Sequence, residues 1–197
     1  MARSTPSPSG RRAVDRAAAE RAVADLIRAL GLDPVAEPEL TKTPARVADL
    51  YAEIFAGLDP ASDPEIATFA HDGGPDEIVM VRDLPFHSLC VHHFIPFFGH
   101  ARVAYLPGER IIGISGAARL LDFYARRPQL QERLTAQIAD HLERLVAPRG
   151  VAVVIEARHL CMEMRGACKP GQVETRVVRG ALAAPPWSGM LDPRPGP

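Results

Sequence analysis

The sequence predicts an α+β fold in which two helices pack on one face of an antiparallel sheet, behind an N-terminal helical extension. Two observations lead there. The apolar period changes at Glu77 from about 3.6 residues to 2, the step from helix to strand. From Glu77 onward the order is strands, two helices, strands, a sequence of elements that buries its apolar faces by laying helices on a sheet.

In order along the chain, Val23, Leu26, Ile27 and Leu30 recur at helical spacing, and the stripe stops at Gly31, a residue suited to helix ends. Thr43-Pro44 reads as an N-cap followed by proline at the first helical position, opening a second helix with Val47, Leu50, Tyr51, Ile54 and Phe55 on one face. Asp59 to Gly74, rich in Asp, Pro and Gly, is expected to be a loop or linker. The β-branched run Ile78-Val79-Met80-Val81 and the alternation of Ala101, Val103 and Tyr105 with His100, Arg102 and Ala104 predict two strands. Leu106-Pro107-Gly108-Glu109 supplies a turn, with Arg110 to Ile114 as the return strand. Ser115 is placed to cap a helix carrying Ala117, Leu120, Leu121 and Tyr124, which Pro128 interrupts. Leu130, Leu134, Ile138 and Leu142 then mark a further helix, ended by Pro148-Arg149-Gly150. The continuous apolar strand Val151 to Ala157 and a last alternating strand, Gln172 to Leu182, complete the body.

The chain has 197 residues, enough for one domain with a proper core and an extension. The expected organisation is a disordered tail at 1–12, the helical extension and linker at 13–74, the main body at 75–183, and a Pro-rich disordered tail at 184–197. A net charge of -1 argues against nucleic acid or an anionic membrane as partner. No apolar run approaches the roughly 18 residues of a membrane span, and the polar start lacks a signal-peptide core, so a cytoplasmic location is expected. Three cysteines argue against a disulfide framework and for metal or catalytic use.

The chemistry concentrates in Ser88-Leu89-Cys90-Val91-His92-His93, with His159-Leu160-Cys161 far downstream. Cys90, His93 and Cys161 form a three-ligand set that leaves the fourth tetrahedral position of zinc open for water; His92 or His159 is also able to close the site as a structural one. His92, beside a metal ligand, is a candidate for proton transfer near neutral pH. His159, two residues before Cys161, is expected to face the same side of a strand. Gln131-Glu132 lies in the first turn of a helix, where a carboxylate is favoured, and the pair suits the donor-rich edge of guanine. Arg46, Arg119, Arg165 and Lys169 are candidates for phosphate contacts. Cys168 reads as a spare thiol.

These runs, together with Pro96-Phe97, Gly113-Ile114-Ser115, Ala118-Arg119, Tyr124-Ala125-Arg126-Arg127, Gln131-Glu132-Arg133-Leu134-Thr135, Pro148-Arg149-Gly150-Val151 and Met164-Arg165-Gly166, resemble GTP cyclohydrolase I from about Thr43 to Gly180. The resemblance implies a tunnelling fold over 75–183, a homodecamer of two stacked pentamers, and active sites between subunits. It implies zinc on Cys90, His93 and Cys161, proton donation by His92, and assistance by His159. It also implies guanine recognition by Gln131 and Glu132, ribose and ring-closure steps at Ser115, and triphosphate contacts from Arg46, Arg119, Arg165 and Lys169. The expected reaction is hydrolysis of GTP at C8, with loss of formate and rearrangement to 7,8-dihydroneopterin triphosphate. Two alternatives are a paralogue that only opens the purine ring or takes a guanine nucleotide with fewer phosphates, and a non-catalytic zinc-containing purine-binding oligomer. The chain departs from the family pattern at Val91, where a glutamate is usual, and at Gly116, where a lysine is usual.

Overall fold

The computed structural model describes residues 13–33, 35–74 and 77–187. The tails expected at 1–12 and 184–197 lie outside these residues, apart from 184–187. Packing divides the chain into two compact units between Asp63 and Pro64, ahead of the 74/75 boundary expected from composition.

The first unit is built on α1 (Arg16–Ala29) and α2 (Thr43–Ile54), followed by two 3-10 turns, Ala56–Leu58 and Pro60–Ser62. Asp15 caps α1, its carboxylate accepting from the Ala18 N–H at 2.9 Å. Lys42, not Thr43, is the N-cap of α2, so Thr43 is the first helical residue. Of the predicted α1 stripe only Ile27 is buried, alongside Ala48 and Phe55; Leu26 and Leu30 are 58% and 69% exposed. A pair of helices covers one flank of each partner, and the rest of a wide stripe stays in water. Arg16 and Asp49 join the helices by an exposed ion pair.

The second unit contains β1 (Thr68–Ala70), β2 (Val79–Cys90), β3 (Pro96–Leu106), β4 (Arg110–Ile112), α3 (Ile114–Ala125), β5 (Pro128–Gln129), α4 (Gln131–Val146), β6 (Gly150–His159), α5 (Leu160–Glu163) and β7 (Gln172–Gly180). The main sheet runs β5-β2-β3-β6-β7, antiparallel except for the short parallel β2–β5 pair. The predicted return strand does not fold back on β3. It is shorter than expected, and as β4 it pairs with β1 in a separate two-stranded sheet, inside the segment expected to be a loop. The cause is visible at both ends of β1. His71 N–H donates to Glu109 O and Gly113 N–H to Ala67 O, both at 3.0 Å, while the Tyr105 hydroxyl accepts from Ile112 N–H at 3.1 Å.

Helices α3 and α4 do lie on one face of the main sheet. Leu120, Leu121, Leu134, Ile138 and Leu142 pack there against Val103, Val151, Val153 and Ile155, all essentially inaccessible. Each such aliphatic side chain contributes about 1.5–3 kcal/mol of burial. Ala104, Ala152 and Val154 face the other side, where Leu182 covers them from a 3-10 turn after β7. β6 is therefore buried on both faces, as its unbroken apolar run predicts. Gly99 permits the close β3–β6 approach, since a Cβ there would lie 1.9 Å from Glu156 O. Gly113 caps α3, which leaves Ser115 inside its first turn; strand β7 ends at Gly180. No helix among the described residues is long and apolar enough to cross a membrane.

Candidate metal centre and flanking histidines

The β2–β3 connection folds back on its own first residue. Cys90 N–H donates to Ile95 O at 3.0 Å, and the N–H groups of His93 and Phe94 donate to Cys90 O at 3.3 and 2.8 Å. This turn, with Phe94 at φ +53°, sets the His93 side chain beside the Cys90 thiol three residues earlier. Val91 N–H donates to Gln129 O at 3.0 Å, tying the same turn to β5. Val91 thus holds the loop by its backbone, whatever its side chain.

Cys161 arrives from the far end of β6. Because β6 pairs with β3 to its last residue, with Phe97 opposite His159, the chain leaving β6 emerges next to the β2–β3 turn. The strand stops at His159, and Cys161 sits in the one-turn helix α5. The period-2 placement of His159 and Cys161 on one strand face is therefore corrected. Helical geometry takes over after His159 and sends the two side chains to different partners.

The donor atoms of Cys90, His93 and Cys161 all lie within 4.8 Å of one another. Two thiols and an imidazole form a donor set suited to zinc. Burial pushes the Cys161 thiol up, the adjacent Cys90 thiol pushes it further, and Arg165 pulls it back. Two neighbouring thiols resist joint deprotonation unless a cation compensates, so the electrostatics fit a divalent metal. The Arg165 guanidinium reaches the same cluster, 2.9 Å from His93 Nε2. His92, exposed on the turn, has its Nδ1 at 3.8 Å from Cys90 Sγ.

His159 is part-buried, its ring stacked on Phe97 with centroids 4.7 Å apart and planes 2° from parallel. Burial lowers its pKa, and the carboxylates of Glu132 and Glu163 pull it back up. Its Nε2 lies 2.7 Å from Gln131 Oε1. Gln131 itself is 2% exposed, with its amide nitrogen on Ile155 O, Val173 O and Thr175 Oγ1 at 2.9, 2.9 and 3.2 Å. The neighbouring Glu132 is exposed. Ser115 and Arg119 are exposed on α3, and Arg119 donates to Glu65 O at 3.2 Å. Lys169 is exposed on the loop before β7, its N–H bonded to Met162 O at 3.2 Å. Arg46 lies on α2, in the first unit.

A sequence model of the GTP cyclohydrolase I family matches residues 19–187. The chain belongs to the GTP cyclohydrolase I family. It is 55% identical over 170 residues to GTP cyclohydrolase 1 of Mycolicibacterium gilvum (strain PYR-GCK), covering 84% of this chain and 83% of that one. It is 48% identical over 179 residues to GTP cyclohydrolase 1 of Thermobifida fusca (strain YX), covering 89% and 84%. Among solved structures, the apo archaeosine synthase QueF-Like is 18% identical at a TM-score of 0.40, covering 53% of this chain and 95% of that one. The element order and sheet of the second unit make this family member an α+β protein with two helices on one face of a mostly antiparallel sheet. The sequence assigns no site role to Phe97, Thr135 or Thr175, because Phe97 and Thr175 meet His159 and Gln131 through contacts between elements far apart in the chain. The one local signal was Thr135, four residues after Gln131 on α4, whose hydroxyl donates to Gln131 O at 2.8 Å.

Proposed function

We propose that the chain is a zinc-dependent GTP cyclohydrolase I, hydrolysing GTP at C8 with release of formate and rearrangement to 7,8-dihydroneopterin triphosphate. The observation that carries this reading is the convergence of Cys90, His93 and Cys161 within 4.8 Å, flanked by His92, in a member of that family. Those three residues would hold zinc, which when bound supplies a Lewis acid with one position left for water. His92, exposed beside the cluster, donates the proton that lets the imidazole ring of the base open. His159 assists later proton movements from its slot on Phe97. The Glu132 carboxylate accepts from guanine N–H groups, and Ser115 serves the ribose and ring-closure steps. Arg119, Arg165 and Lys169 of the second unit, and Arg46 of the first, are the cations assigned to the triphosphate. The edge of β7, at the end of the sheet, supports self-association; we take the assembly to be a decamer of two pentamers with sites shared between subunits, working in the cytoplasm.

A second reading is favoured by one feature, Gly116. A Cβ there would lie 2.9 Å from Ile66 Cγ2 and 3.2 Å from Ile112 Cδ1, so the lysine usual in the family would require Ile66 to shift at this point of α3. Losing that cation favours a guanine nucleotide with fewer phosphates, or ring opening without closure. Mass spectrometry of products from GTP, GDP and GMP, with formate measured in parallel, separates the readings. Dihydroneopterin triphosphate from GTP supports the first; formate without a pterin, or turnover of GDP or GMP alone, supports the second.

A further inference from the structure

Gln131 was expected at the guanine edge, yet its polar atoms are already engaged. The amide nitrogen points at two backbone carbonyls, Ile155 O and Val173 O, each at 2.9 Å. Carbonyl oxygens only accept, so the two amide hydrogens are directed there, and the opposite flip would set oxygen against oxygen. The Thr175 hydroxyl completes the arrangement. Thr135 gives its proton to Gln131 O at 2.8 Å, so in the 2.6 Å contact between the two threonines Thr175 is the donor. Thr175 Oγ1 then presents a lone pair to the Gln131 nitrogen at 3.2 Å, a third acceptor that only a hydrogen shared with one of the carbonyls can serve. Gln131 Oε1 is thereby fixed as an acceptor, and the atom it meets is His159 Nε2 at 2.7 Å.

We propose that Gln131 is a positioning residue for His159: its side-chain oxygen, oriented by the β6 and β7 carbonyls, holds the ring proton on Nε2 and leaves Nδ1 as the lone-pair nitrogen. The chain of causes runs from two strands, through a buried amide, to the tautomer of one imidazole. Phe97, fully buried and parallel to the ring, sets the plane in which Nδ1 is presented. An amide acceptor suits this task because it selects a tautomer without placing a charge at residue 131, which is 2% exposed. Recognition of guanine is then left to Glu132, the exposed member of the pair. The catalytic consequence rests on the proton-transfer role proposed above for His159; the tautomer itself does not.

The test is nuclear magnetic resonance of full-length, zinc-loaded protein carrying 13C,15N-histidine, in mildly alkaline buffer, with His159 assigned by its loss in His159→Asn. A proton on Nε2 and a bare Nδ1 in the wild type is the expected result; a proton on Nδ1 overturns the proposal without any variant at residue 131. Gln131→Leu removes the acceptor and should release the tautomer preference. It should also lower kcat for formate release about 10²-fold, the low end of the roughly 10²–10⁴ attributed to general acid–base groups, with KM changed less than about threefold. A raised KM with kcat unchanged, the pattern of a lost guanine contact, overturns it. Undiminished formate release by His159→Asn would overturn the proton-transfer role instead, whatever tautomer the wild type shows.

Discussion

Gly116 offers a perturbation whose sign follows from two opposing terms. Replacing glycine by alanine within a helix gains up to about 1 kcal/mol of propensity, less in the first turn, where residue 116 lies. Against this, the new Cβ would stand 2.9 Å from Ile66 Cγ2, closer than real Cβ contacts, and 3.2 Å from Ile112 Cδ1. Overpacking of this kind costs about 1–3 kcal/mol, so Gly116→Ala should be destabilising by roughly 0–3 kcal/mol. Ile66→Ala removes the closest atom. In that background the packing cost shrinks and Gly116→Ala should become neutral or stabilising, with a coupling of about 1 kcal/mol between the two sites. Urea unfolding of the four proteins at one fixed concentration measures the cycle, fixed because self-association would otherwise shift apparent stability. If Gly116→Ala stabilises by about 1 kcal/mol in both backgrounds, the contact with Ile66 does not limit this position. The argument that a side chain there must displace Ile66 then falls with it.

Three further outcomes follow from the same geometry. His92→Ala should keep zinc stoichiometry unchanged while formate release falls by about 10²-fold or more; metal content by atomic emission and a formate assay read the two separately, and unchanged turnover removes His92 from the mechanism. Cys161→Ala leaves two of the three donors and should strip zinc on dialysis against a chelator that the wild type survives, with the α5 turn otherwise intact. Acid should weaken the fold partly through Glu174, whose pKa is held below its ordinary 4.5 chiefly by its hydrogen bond to Arg176, burial opposing. The unfolded chain binds that proton first, so the stabilisation is complete above pH 4.5 and is lost as pH falls through the depressed value. Glu174→Gln should flatten the acid limb by at most about 1 kcal/mol, as befits a part-exposed pair; an unchanged limb in acid-titrated urea melts would show the pairing is inert.

The division between what the chain reveals and what it hides follows the range of the interactions. Periodicity reports on neighbours three, four or two residues apart, so it locates α3, α4, β3 and β6, and it shows that β6 is buried on both faces. The Cys-x-x-His spacing is equally local. A single turn with Phe94 in the left-handed region is enough to bring His93 to Cys90. Partners that meet across the fold leave no such trace. The pairing of β4 with β1 depended on the Ala67 carbonyl finding the Gly113 N–H and the His71 N–H finding the Glu109 carbonyl. Cys161 joins Cys90 and His93 because β6 pairs with β3 to its end and then turns into a helix. Gln131 looked like a ligand-facing amide because its residue type and helix position suit one. Only the convergence of α4, β6 and β7 shows its donors spent on Ile155 and Val173, and its oxygen committed to His159. The sequence alone determined which side chains are chemically suited to the site; tertiary structure decided which of their polar atoms remain available, because buried hydrogen-bonding capacity is allotted by whichever strands and helices close around it.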